Sequence, residues 1–536
     1  MTPATLLILP FNPASSDHIQ GNSLQQENGN NQQNKHLSED LESLNHVMIA
    51  RLEKVNRIRE LGWDPFPTQY HRDATVAAIF ESWEKFVAES PLRRFRVAGR
   101  LSSLRLMGKA AFADLADETA RIQIYVKKDL IGDALWELFL LLDIGDIIGI
   151  TGTPFVTKSG ERSLQVGELS LLTKSLRPLP AVKEKDGQVW YGWDDKEERY
   201  RQRTIDLILN RDSREVLLFR SRLVSELRSF FAEKGDVEVE TPVLQAIYGG
   251  AAARPFTTYH KALNRQLYLR IATELYLKRI IAGGISRVFE IGKDFRNEGI
   301  DRMHSPEFTM LEAYTAFENY EFCMKLCEEL LPRLALRLMG KTAIEWDEHL
   351  IELAAPYRRL PILEAILQYG EFDIQNKSRD ELASFALQSG IPVKPEMGKG
   401  KIIDEIFSAI VQPKLIQPTF ITDLPVEVSP LAKRHPQNPD LVERFELYIG
   451  AMEVVNAFSE LNDPVDQRCR FEEQARLRAA GDEEAAPIDE EFLQALEIGM
   501  PPTAGLGMGV DRLTMLMTNS RSIRDVIFFP LLRTIS

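Results

Sequence analysis

Two arginines that are far apart in the sequence each stand beside backbone that a ligand could approach. Arg296 ends a strand-like segment, and Arg512 follows the glycine-rich segment 505–509. Two carboxylates, Glu446 and Glu453, lie between them in the chain. Guanidinium groups and paired carboxylates hold nucleoside triphosphates and their magnesium ion, although acids at this spacing are more often solvated surface residues. The combination predicts an enzyme that activates a carboxylate with ATP.

Alternation along two predicted strands decides which other side chains share a face. Successive side chains on a strand point to opposite sides, so residues two apart face the same way. The resulting sets are Phe308, Glu312 and Tyr314 on one strand, and Asn456, Phe458 and Glu460 on a later one. The aromatic rings alone would fit an ordinary core. A buried, unpaired carboxylate is costly, so Glu312 favours a binding cleft.

The glycines Gly505, Gly507 and Gly509 do not predict a dinucleotide-binding fold. Only 27 residues follow Gly509, too few for the rest of a βαβ unit with its ribose-binding acid. Glycine instead lets a ligand lie close against the backbone. We therefore expect the ligand to lie along this strand, where Arg512 reaches it.

Length and composition predict a soluble protein with several domains. A chain of 536 residues is too long for one core, so two or three domains are expected. No apolar run approaches the ~20 residues that span a bilayer, so no membrane partner is expected. Cys323 and Cys327 have the spacing of a metal pair, but no second Cys or His pair completes a site. Reduced thiols in a cytoplasmic protein are favoured.

The charge of the chain is unevenly distributed. The net charge of −14 taken alone argues against a nucleic-acid partner. The segment 91–109 nevertheless carries six basic residues and no acid. Such a run fits either a solvated basic face or a patch that contacts phosphates, and its spacing does not decide between them.

The sequence divides into four stretches. Residues 1–44 include a segment rich in Gln, Asn and Ser and predict a disordered tail. Residues 45–175 predict an amphipathic helix and then five short strands with one helix, the pattern of a closed OB-fold β-barrel. Residues 176–200 predict a linker. Residues 201–536 predict a larger domain of strands and helices, in which about 320–410 are mostly helical.

One long helix is predicted near the start of the larger domain. The segment 212–215 has the sequence of a capping box and predicts where this helix begins. Gly235 predicts where it ends, since glycine is favoured just past a helix C-terminus. A strand over 237–242, ending at a proline, should follow.

Several long motifs are spread over residues 45–536: YRQR at 200–203, GGAAARPF at 249–256, FRNEGI at 295–300, PEFTMLE at 306–312, NAFSELND at 456–463, and the terminal glycine-rich block through 525. With these motifs the chain resembles the class II lysyl-tRNA synthetases. The resemblance implies an α+β fold with an antiparallel catalytic sheet, flanking helices and an N-terminal OB-fold barrel that binds the anticodon. It also implies a homodimer that activates L-lysine with ATP and Mg²⁺, releases pyrophosphate, and transfers lysine to the terminal adenosine 3′-hydroxyl of tRNA(Lys).

The resemblance also implies a role for individual residues. The implied ATP-binding residues are Arg296, Glu298, His304, Phe308, Glu446 and Arg512, with Arg296 and Arg512 catalytic, and the implied magnesium ligands are Glu446 and Glu453. The implied lysine-binding residues are Gly250, Glu274, Glu312, Tyr314, Asn456, Phe458 and Glu460. The implied anticodon-reading residues are Arg105, Phe112, Gln123 and Glu161. The chain departs from the family pattern at Met303, Ser305 and Ala451, and its first 44 residues match nothing in it.

Glu460 favours lysine as the amino acid, because a buried ammonium needs a fixed carboxylate. Relatives specific for aspartate or asparagine would need a cation or an amide at this position. Two other functions remain alternatives. One is a ligase that attaches lysine to a protein, which would lack the barrel. The other is an inactive synthetase fold, which would have lost Arg296, Arg512 or the carboxylates.

Overall fold

A computed structural model of the chain describes residues 46–89, 93–180, 183–185, 188–190, 195–479, 481 and 485–533. The described residues form two compact units that divide between residues 190 and 195. The predicted tail of residues 1–44 lies outside the described residues. None of the described helices is long and apolar enough to cross a membrane.

The first unit is built on a five-stranded β-barrel. Its helices are α1 (46–60), α2 (Val76–Glu81), α3 (Trp83–Glu89) and α4 (Lys128–Leu140). Its strands are β1 (Phe95–Met107), β2 (Ala110–Ala116), β3 (Arg121–Lys127), β4 (Ile147–Val156) and β5 (Arg162–Thr173), followed by the short hairpin of β6 (Lys183–Lys185) and β7 (Gln188–Trp190). The barrel closes in the order β1-β2-β3-β5-β4. The alternating residues Ile122, Ile124 and Val126 of β3 are buried inside it, so the pattern that predicted the barrel is confirmed.

The second unit contains a large mixed sheet and several helices. Its helices are α5 (Lys196–Arg201), α6 (Arg203–Leu209), α7 (Arg211–Glu233), α8 (Glu274–Ala282), α9 (Tyr320–Met339), α10 (Ile362–Gly370), α11 (Arg379–Gln388), α12 (Lys399–Ile410), α13 (Pro464–Ala479), α14 (Glu490–Gly499), α15 (Val510–Met517) and α16 (Ile523–Val526). Its strands are β8 (Val237–Glu238), β9 (Leu244–Gln245), β10 (Thr257–His260), β11 (Arg265–Leu269), β12 (Arg287–Phe295), β13 (Glu307–Ala316), β14 (Ala343–Trp346), β15 (His349–Glu352), β16 (Arg358–Pro361), β17 (Thr419–Thr422), β18 (Arg444–Ile449), β19 (Met452–Ser459) and β20 (Thr503–Gly509).

Eight of these strands form one sheet in the order β16-β17-β18-β19-β20-β13-β12-β8. The six central strands pair antiparallel, and each edge strand, β16 and β8, pairs parallel with its neighbour. Strands that are distant in sequence thus become neighbours. Asn456 of β19 pairs with Gly507 of β20, and Gly507 pairs in turn with Glu312 of β13.

The two faces of this sheet have opposite character. On β20, Ala504, Leu506 and Met508 are buried in the main core with side chains of α7, α9 and α15. The intervening glycines of β20 face the other side, as alternation along a strand requires. One face of the sheet therefore packs on helices, and the other carries the polar side chains described below.

Two local predictions were wrong. The long helix α7 begins at Arg211 rather than at a capping box over 212–215, because Ser213 lies inside the helix and donates to Asp206 at 3.1 Å instead. The strand predicted over 237–242 is limited to Val237–Glu238 (β8). The segment 320–410 is mostly helical, as predicted, and also contains the β14–β15 hairpin and the edge strand β16. The end of α7 was predicted correctly, with Gly235 at a φ of +82° just past its C-cap.

Candidate active site

A cavity of about 440 Å³ opens on the polar face of the large sheet. It is lined by thirteen of the fourteen residues predicted for ATP, magnesium and lysine: Gly250, Glu274, Arg296, Glu298, His304, Phe308, Glu312, Tyr314, Glu446, Glu453, Asn456, Phe458 and Arg512. Arg296 and Arg512, 216 residues apart in sequence, therefore face one cavity. The fourteenth residue, Glu460, does not line it.

One end of the cavity carries the two arginines. Arg296 follows β12, and its guanidinium carbon lies 5.1 Å from the centre of the Phe308 ring on β13. Arg512, in the first turn of α15, donates to the main-chain oxygen of Glu453 at 2.8 Å and lies 3.3 Å from its carboxylate. Its other terminal nitrogen lies 3.4 Å from the imidazole of His304. Two cations and a partly exposed ring are thus available to a phosphorylated, planar ligand.

Glu446 and Glu453 stand on the neighbouring strands β18 and β19. Glu446 accepts from Arg444 at 2.6 Å and from the Tyr448 hydroxyl at 2.7 Å. Burial raises the pKa of Glu446 to about 7, with Arg444 opposing the rise and the charge of Glu453 adding to it. A cation bound between the two carboxylates would offset this repulsion.

The other end of the cavity carries carboxylates. Glu312 is buried and accepts from the Tyr314 hydroxyl at 3.1 Å. Burial raises the pKa of Glu312 to about 8, and the charges of Asp294 and Glu274 add to the rise. Glu274 opens helix α8 and lies against Gly250, whose φ of +87° favours glycine. This end of the cavity suits an ammonium group.

Glu460 lies directly behind this acidic end, with 1% of its surface exposed. Its Oε1 faces the backbone of Gly505 and accepts no hydrogen bond from the described residues. Its Oε2 forms an ion pair with the ammonium of Lys278 on α8. Burial raises the pKa of Glu460, and Lys278 opposes that rise. Sequence reasoning missed Lys278, although its position four residues after Glu274 puts both on one helix face.

A further buried carboxylate, Asp511, fixes the arginine end and was also missed. It accepts from the main-chain nitrogen of Thr309 at 2.6 Å and from the Arg220 guanidinium at 2.8 Å. Asp511 immediately precedes Arg512, and Thr309 immediately follows Phe308. The network thus ties α7, β13 and α15 together beneath the cavity. The only available signal was an acid in the first turn of a helix, which is too common to single it out.

The departures from the family pattern fall on the cavity or beside it. Met303 and Ser305 both line it. Ala451 has a φ of +63° in the turn between β18 and β19, a region that favours glycine. Alanine at this position strains the turn that sets the spacing of Glu446 and Glu453.

The predicted anticodon residues lie on the barrel of the first unit. Arg105 on β1 pairs in register with Phe112 on β2, and Gln123 on β3 accepts from Ser163 at 2.9 Å. The Phe112 ring lies 4.9 Å from that of Tyr125. Glu161 is exposed in the loop before β5. Of the six basic residues over 91–109, Arg100 is half-buried and donates to the Gly145 carbonyl at 2.7 Å, and the other five are exposed.

Comparisons with known proteins assign a family to each of the two units. Residues 195–533 match the family described as tRNA synthetases class II (D, K and N), and residues 95–172 match an OB-fold nucleic acid binding domain. A lysine–tRNA ligase of Moorella thermoacetica is 48% identical over 494 residues, covering 92% of this chain and 99% of that protein. Lysine–tRNA ligases of Syntrophomonas wolfei (93% and 99% covered) and Porphyromonas gingivalis (91% and 85%) are each 47% identical. The chain therefore belongs to the lysine–tRNA ligases among the class II tRNA synthetases.

Proposed function

We propose that the chain joins L-lysine to tRNA(Lys) in two steps at the cavity on the large sheet. In the first, the lysine carboxylate oxygen bonds to the α-phosphorus of ATP while the bond to pyrophosphate breaks. In the second, the 3′-hydroxyl of the terminal adenosine takes the lysyl group and AMP leaves. The carboxylate is already a nucleophile, so positioning and charge neutralisation provide the catalysis.

The arginine end is assigned to ATP. Arg296 neutralises the α-phosphate and the lysine carboxylate, and Arg512 contacts the γ-phosphate side. Phe308 stacks beneath the adenine once the nucleotide replaces the Arg296 contact on its ring, and Glu298 and His304 line the same end. The support is that two guanidinium groups face one cavity and that one of them, Arg296, lies over the Phe308 ring of β13.

Glu446 and Glu453 are assigned to Mg²⁺. Magnesium commonly takes one or two protein carboxylates together with phosphate oxygens and waters. The described residues hold no cluster of three or more potential ligands, so a two-carboxylate site completed by the nucleotide fits what is present. When bound, the ion offsets the charge that builds up between the phosphates. The two glutamates would hold it, and Arg512 contacts one of them, Glu453.

The acidic end is assigned to lysine. Glu274 and Gly250 take the α-amino group, and Asn456 lies near the carboxylate. The side-chain ammonium meets Glu460 and Tyr314, with Glu312 and Phe458 beside it. Glu460 reaches this ammonium through its free Oε1, which faces Gly505 at the cavity wall.

The barrel is assigned to the tRNA anticodon. Single-stranded bases are read by stacking on rings and by polar contacts to their edges. Phe112 supplies the ring, Arg105 and Gln123 flank it on neighbouring strands, and Glu161 stands in an adjacent loop. Tyr125 lies beside Phe112 and extends the stacking surface. The barrel also argues against the protein-modifying alternative.

Two further assignments concern the state of the protein in the cell. We expect a homodimer formed through α7 and the segment after it, because Leu218, Val237 and Leu244 are all 45% exposed or more. We expect the cytoplasm, because all three cysteines are free thiols. Light scattering after size exclusion tests the dimer, which predicts about twice the mass of one 61.0 kDa chain.

The observation that carries the proposal is a single cavity with two arginines at one end and buried carboxylates at the other. The decisive test is ATP–pyrophosphate exchange, which measures the first step without tRNA. Exchange should require lysine and Mg²⁺. Exchange supported by aspartate or asparagine instead would refute the lysine assignment.

A further inference from the structure

A fully buried lysine lies immediately behind the proposed amino-acid pocket. Lys278 has no exposed surface, and it does not line the cavity. Its Nζ lies 2.5 Å from a carboxylate oxygen of Glu274, one helical turn earlier, and forms a second ion pair with Glu460. The rings of Phe458 and Phe492 flank it, with centres 5.4 and 5.8 Å from Nζ. One internal ammonium thus holds two carboxylates.

The buried groups around Lys278 differ in their state of ionisation. Burial alone would lower the pKa of Lys278, but Glu274 and Glu460 outweigh it and raise the pKa, so the amine is charged. Glu312, with its pKa raised to about 8, is protonated at neutral pH. The other titratable groups near Glu460 are Tyr314 on β13 and Cys323 on α9, and burial raises the pKa of both. Burial also raises the pKa of Glu460 well above its ordinary value, and the adjacent ammonium of Lys278 is the main influence that lowers it. With Glu460 ionised in that ion pair, two carboxylates and one ammonium carry a net charge of −1.

The sign of this charge suits the amino acid. Lysine brings two ammonium groups to this end of the cavity, while its carboxylate meets Arg296. Without Lys278, burial would protonate Glu460, because an uncompensated carboxylate in an apolar setting is costly. A protonated Glu460 would no longer demand a cationic side chain.

We propose that Lys278 is a positioning residue that keeps Glu460 ionised and aimed at the pocket, and thereby sets the requirement for an amine-ended side chain. The ammonium holds Oε2 and leaves Oε1 for the substrate. The inference rests on the proposed function, since it concerns how the same pocket recognises lysine. It predicts that the charge of Lys278, more than its bulk, is needed.

The test is Lys278→Met in the full-length protein, measured by ATP–pyrophosphate exchange between pH 7 and 9. Methionine keeps the approximate length and removes the charge. The KM for lysine should rise about 10²-fold at pH 7, as expected when one member of a buried charge pair is removed. The KM should fall again as the pH rises and Glu460 ionises. The KM for ATP should stay within about twofold of wild type, which a general loss of structure would not allow.

Lys174→Met is the matched control. Lys174 is also buried and contacts two carboxylates, Asp143 at 2.5 Å and Asp146 at 2.8 Å, but it lies in the barrel unit. Its replacement should lower the melting temperature and leave the KM for lysine and its pH profile unchanged. The same KM shift in both variants would overturn the proposal, because it would show a general effect of losing a buried cation.

A second variant, in which both members of the ion pair are neutral, tests the proposal if Lys278→Met does not fold. The double variant Lys278→Met with Glu460→Gln has no uncompensated charge between these two positions and should recover a folded protein. A folded Lys278→Met with unchanged KM and pH profile overturns the inference. If Lys278→Met does not fold, a double variant that also fails to fold overturns it. Lysine-dependent exchange by the wild type tests the proposed function separately, so the two failures are distinguishable.

Discussion

Gly505→Ala tests the geometry of the acidic end most sharply. An added Cβ at Gly505 would lie 2.7 Å from Cε1 of Tyr314 and closer still to Oε1 of Glu460. Ordinary carbon contacts are about 3.7 Å, so the Tyr314 ring would have to move by about 1 Å and the Glu460 carboxylate by more. Both are buried, so neither can swing into solvent. A misplacement of this size costs about 10²-fold in rate when it affects a positioned group.

We expect Gly505→Ala to lower kcat/KM for lysine about 10²-fold in ATP–pyrophosphate exchange. The change should appear in the KM for lysine and not in the KM for ATP. Overpacking should also destabilise the protein by about 1–3 kcal/mol in urea unfolding. The control variants are Gly507→Ala and Gly509→Ala on the same strand. At Gly507 the added carbon would meet the flexible end of Met310 at 3.3 Å, and at Gly509 the Arg512 side chain at 3.7 Å. Equal KM shifts for lysine in all three variants would refute the reasoning.

Three further predictions concern Glu312, the magnesium site and the barrel. Glu312→Gln should retain kcat/KM for lysine within about tenfold at pH 7, because the acid it replaces is protonated there, with a pKa of about 8 against an ordinary value of 4.5. The native state binds this proton more tightly than the unfolded state. The free energy of unfolding of the wild type should therefore fall as the pH rises from 4.5 to 8. Urea unfolding of Glu312→Gln should lack this part of the pH dependence. Glu453→Gln should raise several-fold the Mg²⁺ concentration needed for half-maximal exchange, with unchanged KM for lysine as the control. Phe112→Ala should raise the KM for tRNA in aminoacylation by roughly 10- to 100-fold and leave exchange unaltered, and an equal loss in both assays would contradict the anticodon assignment.

Alternation was the most productive signal in the sequence. It grouped Glu312 with Tyr314 and Asn456 with Phe458, and these residues line one cavity because β13 and β19 both flank β20. The pairing of these strands is set by contacts between residues up to 200 positions apart, which a local pattern does not contain. That these residues share one cavity could therefore be predicted only from the family resemblance, and it is seen only in the folded structure.

Local signals failed where tertiary contacts competed with them. Ser213 has the residue type of a helix cap, but its hydroxyl bonds to Asp206, so α7 extends past it. Lys278 looks like an ordinary solvent-facing partner for Glu274 at i,i+4 spacing. It is buried because Glu460, 182 residues later, supplies the second carboxylate. No periodicity in the sequence reports such a pair.

We infer that this cavity activates lysine through a buried carboxylate at one end and two arginines at the other. ATP–pyrophosphate exchange with each of the twenty amino acids, using the purified wild-type protein, tests this assignment. We expect rapid exchange with lysine and at least 10²-fold lower kcat/KM with arginine, aspartate and asparagine, since a fixed carboxylate penalises the wrong charge or length. Exchange that is equal for lysine and aspartate, or absent with lysine, would contradict it.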